Sequence, residues 1–215
     1  MIESTFNLIF TAVEAKRVMQ DVLEGHVPAA SVEYCYHLWE RYQFDFVVSK
    51  PRRTRLGDFR AHPGYRECIT VNMNLNPYNF LITYLHEVAH LEVYRTYKRR
   101  QPPHGKAWKN HFGRLLIPVM NEATFPASVL TSLQHYAKNP TASTGTHLPL
   151  MRALKNMDAP QTDRIMVSEL PEGQLFRLNQ KVFVRGSLRR TRVVCVENAS
   201  QKKYLVAAHA WVEKI

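Results

Sequence analysis

The residues best placed to do chemistry are two histidines four apart with a glutamate beside the first: His86-Glu87-Val88-Ala89-His90. On a helix, positions i and i+4 stack on one face, so both imidazoles can meet a single ion. Glu87 then lies next to that ion without needing to bind it. A carboxylate so placed suits a general base for a water polarised by the metal. Catalytic zinc takes three protein ligands and keeps one position open, so one ligand is still to be found. The long metzincin spacing would put Gly at 93 and His at 96. The chain has Val93 and Thr96, which excludes that class. A glutamate on a later helix would be the thermolysin-like solution, and Glu122 is the candidate. His104 is preferred: Pro102-Pro103 stop the first helix, the chain can double back, and Gly105 lets the backbone approach the metal. His111 lies two turns further on, too far to share an ion with His104.

These residues must be held by helices. Residues 3–24 carry apolar side chains at helical spacing and end at Gly25, and a second helix is expected over 30–42. FDFVVS, TRLGDFR and ECITVNMN are short, β-branched or aromatic runs separated by turn signals. They predict a small sheet, with 59–70 as a hairpin. Asn76-Pro77 opens a long helix to about 97, Pro being tolerated in a first turn. The apolar neighbours of the HEVAH run, Phe80, Leu81, Tyr84, Leu85, Val88 and Ala89, predict a helix buried on several sides. A buried Glu87 would be costly there without a task. Further helices are expected over KAWKNHFGRLLIPVMNEA and PASVLTSLQHYAK. Residues 139–163 lack a sustained period and predict a linker or irregular arm. From 164 the texture is β throughout, with turns expected at Arg185-Gly186-Ser187 and at 197–201, predicting a small barrel or curled sheet.

Composition bounds what such a chain can be. It has 215 residues, 45% hydrophobic and 22% charged, with a formal charge of +11. That excess favours densely anionic partners, nucleic acid first and an acidic membrane surface second. Cys35, Cys68 and Cys195 are far apart and form no C-x-x-C pair, which argues against a zinc ribbon or a disulfide framework. The first residues have neither a basic n-region nor a long apolar core, and no run approaches eighteen apolar residues. The expectation is a reduced, cytoplasmic protein with no membrane span. Nothing in the sequence sets an oligomeric state.

The motif HEVAH, followed after a loop of thirteen residues by HGKAWKNHF, resembles the SprT-like (SprT/Spartan) zinc metalloprotease family. Upstream, RLGDFR and ITVNMNLNP look like that family's short Leu-Gly strand and its Ile-x-x-Asn segment. The similarity covers about residues 5–135. It implies an α+β, zincin-like fold, with helices on a small antiparallel sheet over residues 1–138. It further implies one zinc ion on His86, His90 and His104, Glu87 as catalytic base, and peptide hydrolysis. In Spartan the substrates are proteins trapped on DNA. Many relatives carry a Cys-rich zinc ribbon after the protease domain. This chain has a lone Cys195 there, within a small all-β domain over 164–215.

That last segment holds ten Lys/Arg against four Asp/Glu, a net of +6 in 52 residues, whereas the preceding 163 hold nineteen against fourteen. Arg185, Arg189, Arg190 and Arg192 are expected around one turn, with Lys202 and Lys203 on the next. They are the candidate DNA contacts, because basic loops on small barrels grip phosphates. Lys50, Arg52, Arg53 and Arg55 form a second basic run before the helix of the metal motif. In a zincin the edge strand beside the metal receives a protein substrate as an added strand, so Arg52, Arg53 and Arg55 are candidate substrate-edge residues. The rival reading is a non-catalytic nucleic-acid-binding protein whose metal only braces the fold.

Overall fold

The computed structural model describes residues 12–52, 54–97, 99–158 and 164–215. Residues 3–11 of the expected first helix, and Arg53, lie outside the described residues. The architecture is α+β, with six α-helices, a three-stranded sheet and a separate six-stranded antiparallel sheet among the described residues. These residues fall into two compact units. One holds those up to Gln101 with Asn110–Phe125, the other Pro102–Lys109 with those from Pro126 onward.

In the first unit, helices α1 (Ala12–Glu24) and α2 (Val32–Tyr42) precede strands β1 (Asp45–Ser49), β2 (Gly57–Arg60) and β3 (Cys68–Asn72). Gln43, in the left-handed region at φ 49°, ends α2. The sheet order is β1-β3-β2. β2 and β3 form the expected hairpin, but β1 runs parallel to β3, so the sheet is mixed rather than antiparallel. The reason is the route of the chain. After Ser49 it crosses the end of β3 and enters the far edge as β2, reversing direction on the way. Asn72, 1% exposed, holds that crossing together. Its amide donates to the carbonyls of Arg52 (3.3 Å) and Arg55 (2.8 Å), and its Oδ1 accepts from Ser49 Oγ (3.2 Å) and Arg52 Nε (2.8 Å).

Helix α3 (Pro77–Thr96) packs against β2 and β3. Asn76 caps it, its side chain accepting from the Asn79 N–H at 3.0 Å, and Pro77 fills the first turn, where its missing N–H costs nothing. Phe80, Leu81, Tyr84, Leu85, Val88 and Ala89 are fully buried. Each large side chain among them contributes about 1.5–3 kcal/mol on leaving water. Helix α4 (Lys106–Leu116) follows the Pro102-Pro103 break.

The second unit contains α5 (Ala127–Ala137) and α6 (Leu148–Lys155). Helix α6 lies within the stretch expected to be a linker or arm. Pro at its start and Leu150, Met151 and Leu154 buried on one face make it an ordered helix packed against α5. Strands β4 (Arg164–Met166), β5 (Leu175–Leu178), β6 (Lys181–Arg189), β7 (Arg192–Glu197), β8 (Lys203–Ala207) and β9 (Trp211–Lys214) form an open sheet in the order β4-β9-β5-β6-β7-β8. Phe176, Phe183, Val193, Cys195 and Val212 fill the core on one face. The turn expected at Arg185-Gly186-Ser187 is instead a β-bulge within β6, and the chain reverses at Arg190-Thr191. Gly186 is needed there because a Cβ would stand 2.7 Å from the Val194 carbonyl oxygen.

Candidate metal centre

Helix α3 places His86 and His90 one turn apart, and their Nε2 atoms stand 3.2 Å from each other. Two nitrogens bound at about 2.0–2.1 Å to one tetrahedral ion are separated by roughly 3.3 Å. The pair is therefore already spaced for a shared cation. His104 completes the group: one ligand atom from each of the three histidines lies within 4.8 Å of the others. Among the described residues this is the one cluster of three or more His, Cys, Asp or Glu able to hold a metal. Glu122 is exposed and outside it, so of the two candidates for a third ligand only His104 joins the group.

The segment before α4 explains how His104 is presented. His104 has φ 56°, a left-handed conformation uncommon for residues other than glycine. The Gly105 N–H bonds the Pro102 carbonyl at 3.0 Å and closes the turn. A Cβ at Gly105 would meet that oxygen at 3.0 Å, so the close fold-back depends on glycine. Buried Trp108 braces the imidazole edge-on, with ring centroids 4.8 Å apart. Burial lowers the His104 pKa and so favours the neutral imidazole, the form that binds a cation. Phe112 lies edge-on to His86 at 5.8 Å.

Glu87 is 6% exposed. Burial, reinforced by the charge of Asp58, pushes its pKa up to about 8, while Arg52, a backbone hydrogen bond with Phe59, and Arg55 oppose the rise. Strand β2 lies directly over this carboxyl. A Cβ on Gly57 would stand 2.5 Å from Glu87 Oε1 and 2.7 Å from Thr83 Cγ2. Glycine at 57 is what lets the strand approach so closely.

Two residues of the basic run before β2 are engaged. Arg52 is half-buried on Asn72, and Arg55 pairs with Asp58 at 2.8 Å. In the second unit the expected basic cluster divides. Arg185 points inward, 8% exposed, and pairs with Glu172 at 2.7 Å, because it lies on the strand before the bulge, two residues from buried Phe183 and so on the same face. Arg189, Arg190 and Arg192 are exposed together where β6 meets β7. Lys202 and Lys203 are exposed beyond the other end of β7, about 17 Å of strand away.

One group carries no signal in the sequence. Buried Glu92 accepts from Tyr42 Oη at 2.5 Å, His111 Nδ1 at 2.6 Å and Arg114 Nη2 at 2.8 Å. Burial alone would raise its carboxyl, but the three donors hold it below its ordinary value. The network ties α2 and α4 to α3. Its members lie far apart in sequence, so no local motif announces it. Comparison with protein-family models, curated proteins and solved structures returned no match for this chain.

Proposed function

We propose that this chain is a zinc-dependent peptidase of the SprT-like type, with a zincin-like domain over residues 1–138, acting on proteins bound to DNA. The observation that carries the reading is a buried carboxyl, Glu87, next in sequence to one of three converging histidines. His86, His90 and His104 would hold the ion. Three imidazoles are a donor set suited to zinc, and a three-ligand site leaves room for chemistry. Bound zinc supplies Lewis acidity, polarising a peptide carbonyl and lowering the pKa of water. Glu87 accepts the proton of the attacking water as the C–O bond forms, then delivers it to the departing amine nitrogen as the C–N bond breaks. β2 is a sheet edge over Glu87, so a substrate segment can add to it as an extra strand, with Arg52 and Arg55 in the segment that leads into it.

The charge of +11 supports recruitment to DNA. The free thiols of Cys35, Cys68 and Cys195 fit a reducing, cytoplasmic setting. A metal that only braced a nucleic-acid-binding fold would ordinarily take a fourth protein ligand. Among the described residues the group contains three. The test is metal analysis of the purified protein together with casein or histone cleavage, with and without single-stranded DNA. Stoichiometric zinc and cleavage lost in Glu87→Gln are expected. Zinc without cleavage under any of these conditions would transfer the site to the structural reading.

A further inference from the structure

The six-stranded sheet ends in β8, which pairs only with β7. In an antiparallel ladder, successive residues turn their N–H and C=O groups alternately toward and away from the partner strand. The Glu197 N–H binds the Lys202 carbonyl and the Ala208 N–H binds the Thr191 carbonyl, which fixes the phase. Tyr204 and Val206 therefore face β7, while Lys203, Leu205 and Ala207 face outward. Two outward carbonyls are engaged, that of Leu205 by Arg192 Nη1 at 3.4 Å and that of Ala207 by the Ala210 N–H. Among the described residues, the N–H groups of Lys203 and Leu205 have no backbone acceptor.

Lys203 and the Arg192 side chain are the charged groups that guard this five-residue edge, and both are basic, so they repel a like strand and leave an acidic one free to approach. The edge has no proline and no bulge, and Leu205 stands 56% exposed at its centre. On the sheet face outside the core, strand register sets Leu205 beside Val194, and Val196 beside Val184 and Leu175. Lys203, Arg189 and Arg192 rim this aliphatic strip. Glu197, the one acid in β6, β7 or β8, faces the core side and is engaged by Lys181, Ser200 and Tyr204.

The chemistry selects the occupant. A second copy of a chain carrying +11 would bring like charge to a basic rim. The cations at the two ends of the strip can meet phosphates, but the strip between them offers bases no aromatic platform on which to stack. Tyr204 is already edge-on to Phe183 at 5.6 Å with its hydroxyl on Glu197, and the remaining surface is aliphatic. Open backbone donors beside aliphatic side chains and cations match an extended polypeptide that alternates acidic and apolar residues. We propose that β8 is a docking edge that takes such an acidic, partly apolar segment of another protein as a seventh strand. The inference does not depend on the metal site.

Leu205 offers a clean test because its N–H points away from β7. Leu205→Pro removes the outward donor while sparing the ladder, and proline is tolerated on an edge strand. Leu205→Lys keeps the donor and charges the strip. The probe is a fluorescein-labelled nine-residue peptide alternating glutamate and valine, titrated by anisotropy against the full chain. Saturable binding is expected. Both variants should weaken it about threefold to tenfold, as expected from loss of one net hydrogen bond or of one apolar contact. Circular dichroism and thermal unfolding should stay as in the unsubstituted protein. A lysine–valine peptide, and the acidic peptide N-methylated at alternate amides, should not bind. Equal affinity in Leu205→Pro would overturn the proposal. So would displacement of the peptide by oligodeoxythymidine with neither affinity changed by the Leu205 variants, which would give the surface to nucleic acid. A dimer in sedimentation that Leu205→Lys dissociates would give it to a second copy.

Discussion

Glu87 is held where its charged form is disfavoured, and this has two consequences of opposite character. In metal-free protein its carboxyl titrates near 8 instead of its ordinary 4.5, because it is buried and faces Asp58. Between those values the folded state holds a proton that the unfolded state has released, so stability falls as pH rises. Chelated protein should therefore lose stability, on the order of a few kcal/mol, between about pH 5 and pH 8. Glu87→Gln, which cannot ionise, should flatten that slope and exceed the parent at pH 8 in urea denaturation. A parent slope unchanged by the substitution would show that Glu87 does not titrate there. With zinc supplied, the same variant should keep its metal and lose roughly two to four orders of magnitude in peptide hydrolysis, since an amide cannot accept the proton of water. His104→Ala removes one of three ligands without touching that proton path. Its expected loss is in zinc affinity, read by competition with a chelator, and tight stoichiometric zinc in this variant would mean that another residue is the third ligand.

Strand β2 can sit over Glu87 only because position 57 lacks a side chain and because Asn72 holds the preceding crossing. Gly57→Ala would press a methyl against Glu87 and Thr83, forcing β2 or the Glu87 carboxyl to shift. The expected cost is about 1–3 kcal/mol in thermal or denaturant unfolding. Hydrolysis should fall further than that loss of folded protein explains, and full activity in Gly57→Ala would show that the strand relaxes freely. The i, i+4 histidines, the Asn-Pro start of α3 and the Pro-Pro break before His104 are local signals, so the helices and the metal group are legible in the sequence. The parallel placement of β1 is not, because hydrophobic alternation fixes which residues are strands and says nothing of which edge a strand joins. The bulge at 185–187 reads as a turn for a related reason: Arg-Gly-Ser is turn-like in composition, and only the pairing of β6 with β7 reveals that the ladder continues past it. Helix α6 is hidden by its Pro-rich and Thr-rich surroundings, although its own Leu and Met spacing is helical.

Over the whole molecule, charge is the property that reaches furthest. The chain carries +11, and the last 52 residues supply more than half of it. Charge of this density attracts polyanions by releasing condensed counterions, so affinity for DNA should fall steeply with salt. Exposure decides which residues can supply that affinity. Arg185 is committed to Glu172, so it should contribute little, whereas Arg189, Arg190 and Arg192 stand exposed together. Replacing those three with Ala should reduce the slope of log affinity against log salt by about two to three, if each meets one phosphate. Replacing Lys202 and Lys203 should remove at most about two more. These sets lie at opposite ends of β7, so their effects on free energy should add. Arg185→Ala is the internal control: it should lower stability, through a lost ion pair and an altered core edge, while leaving the salt slope unchanged. The measurement is anisotropy with single- and double-stranded oligonucleotides at several salt concentrations. Equal slopes for the triple variant and the parent would locate DNA binding elsewhere on the molecule, and a flat slope for the parent would remove DNA from the proposed function.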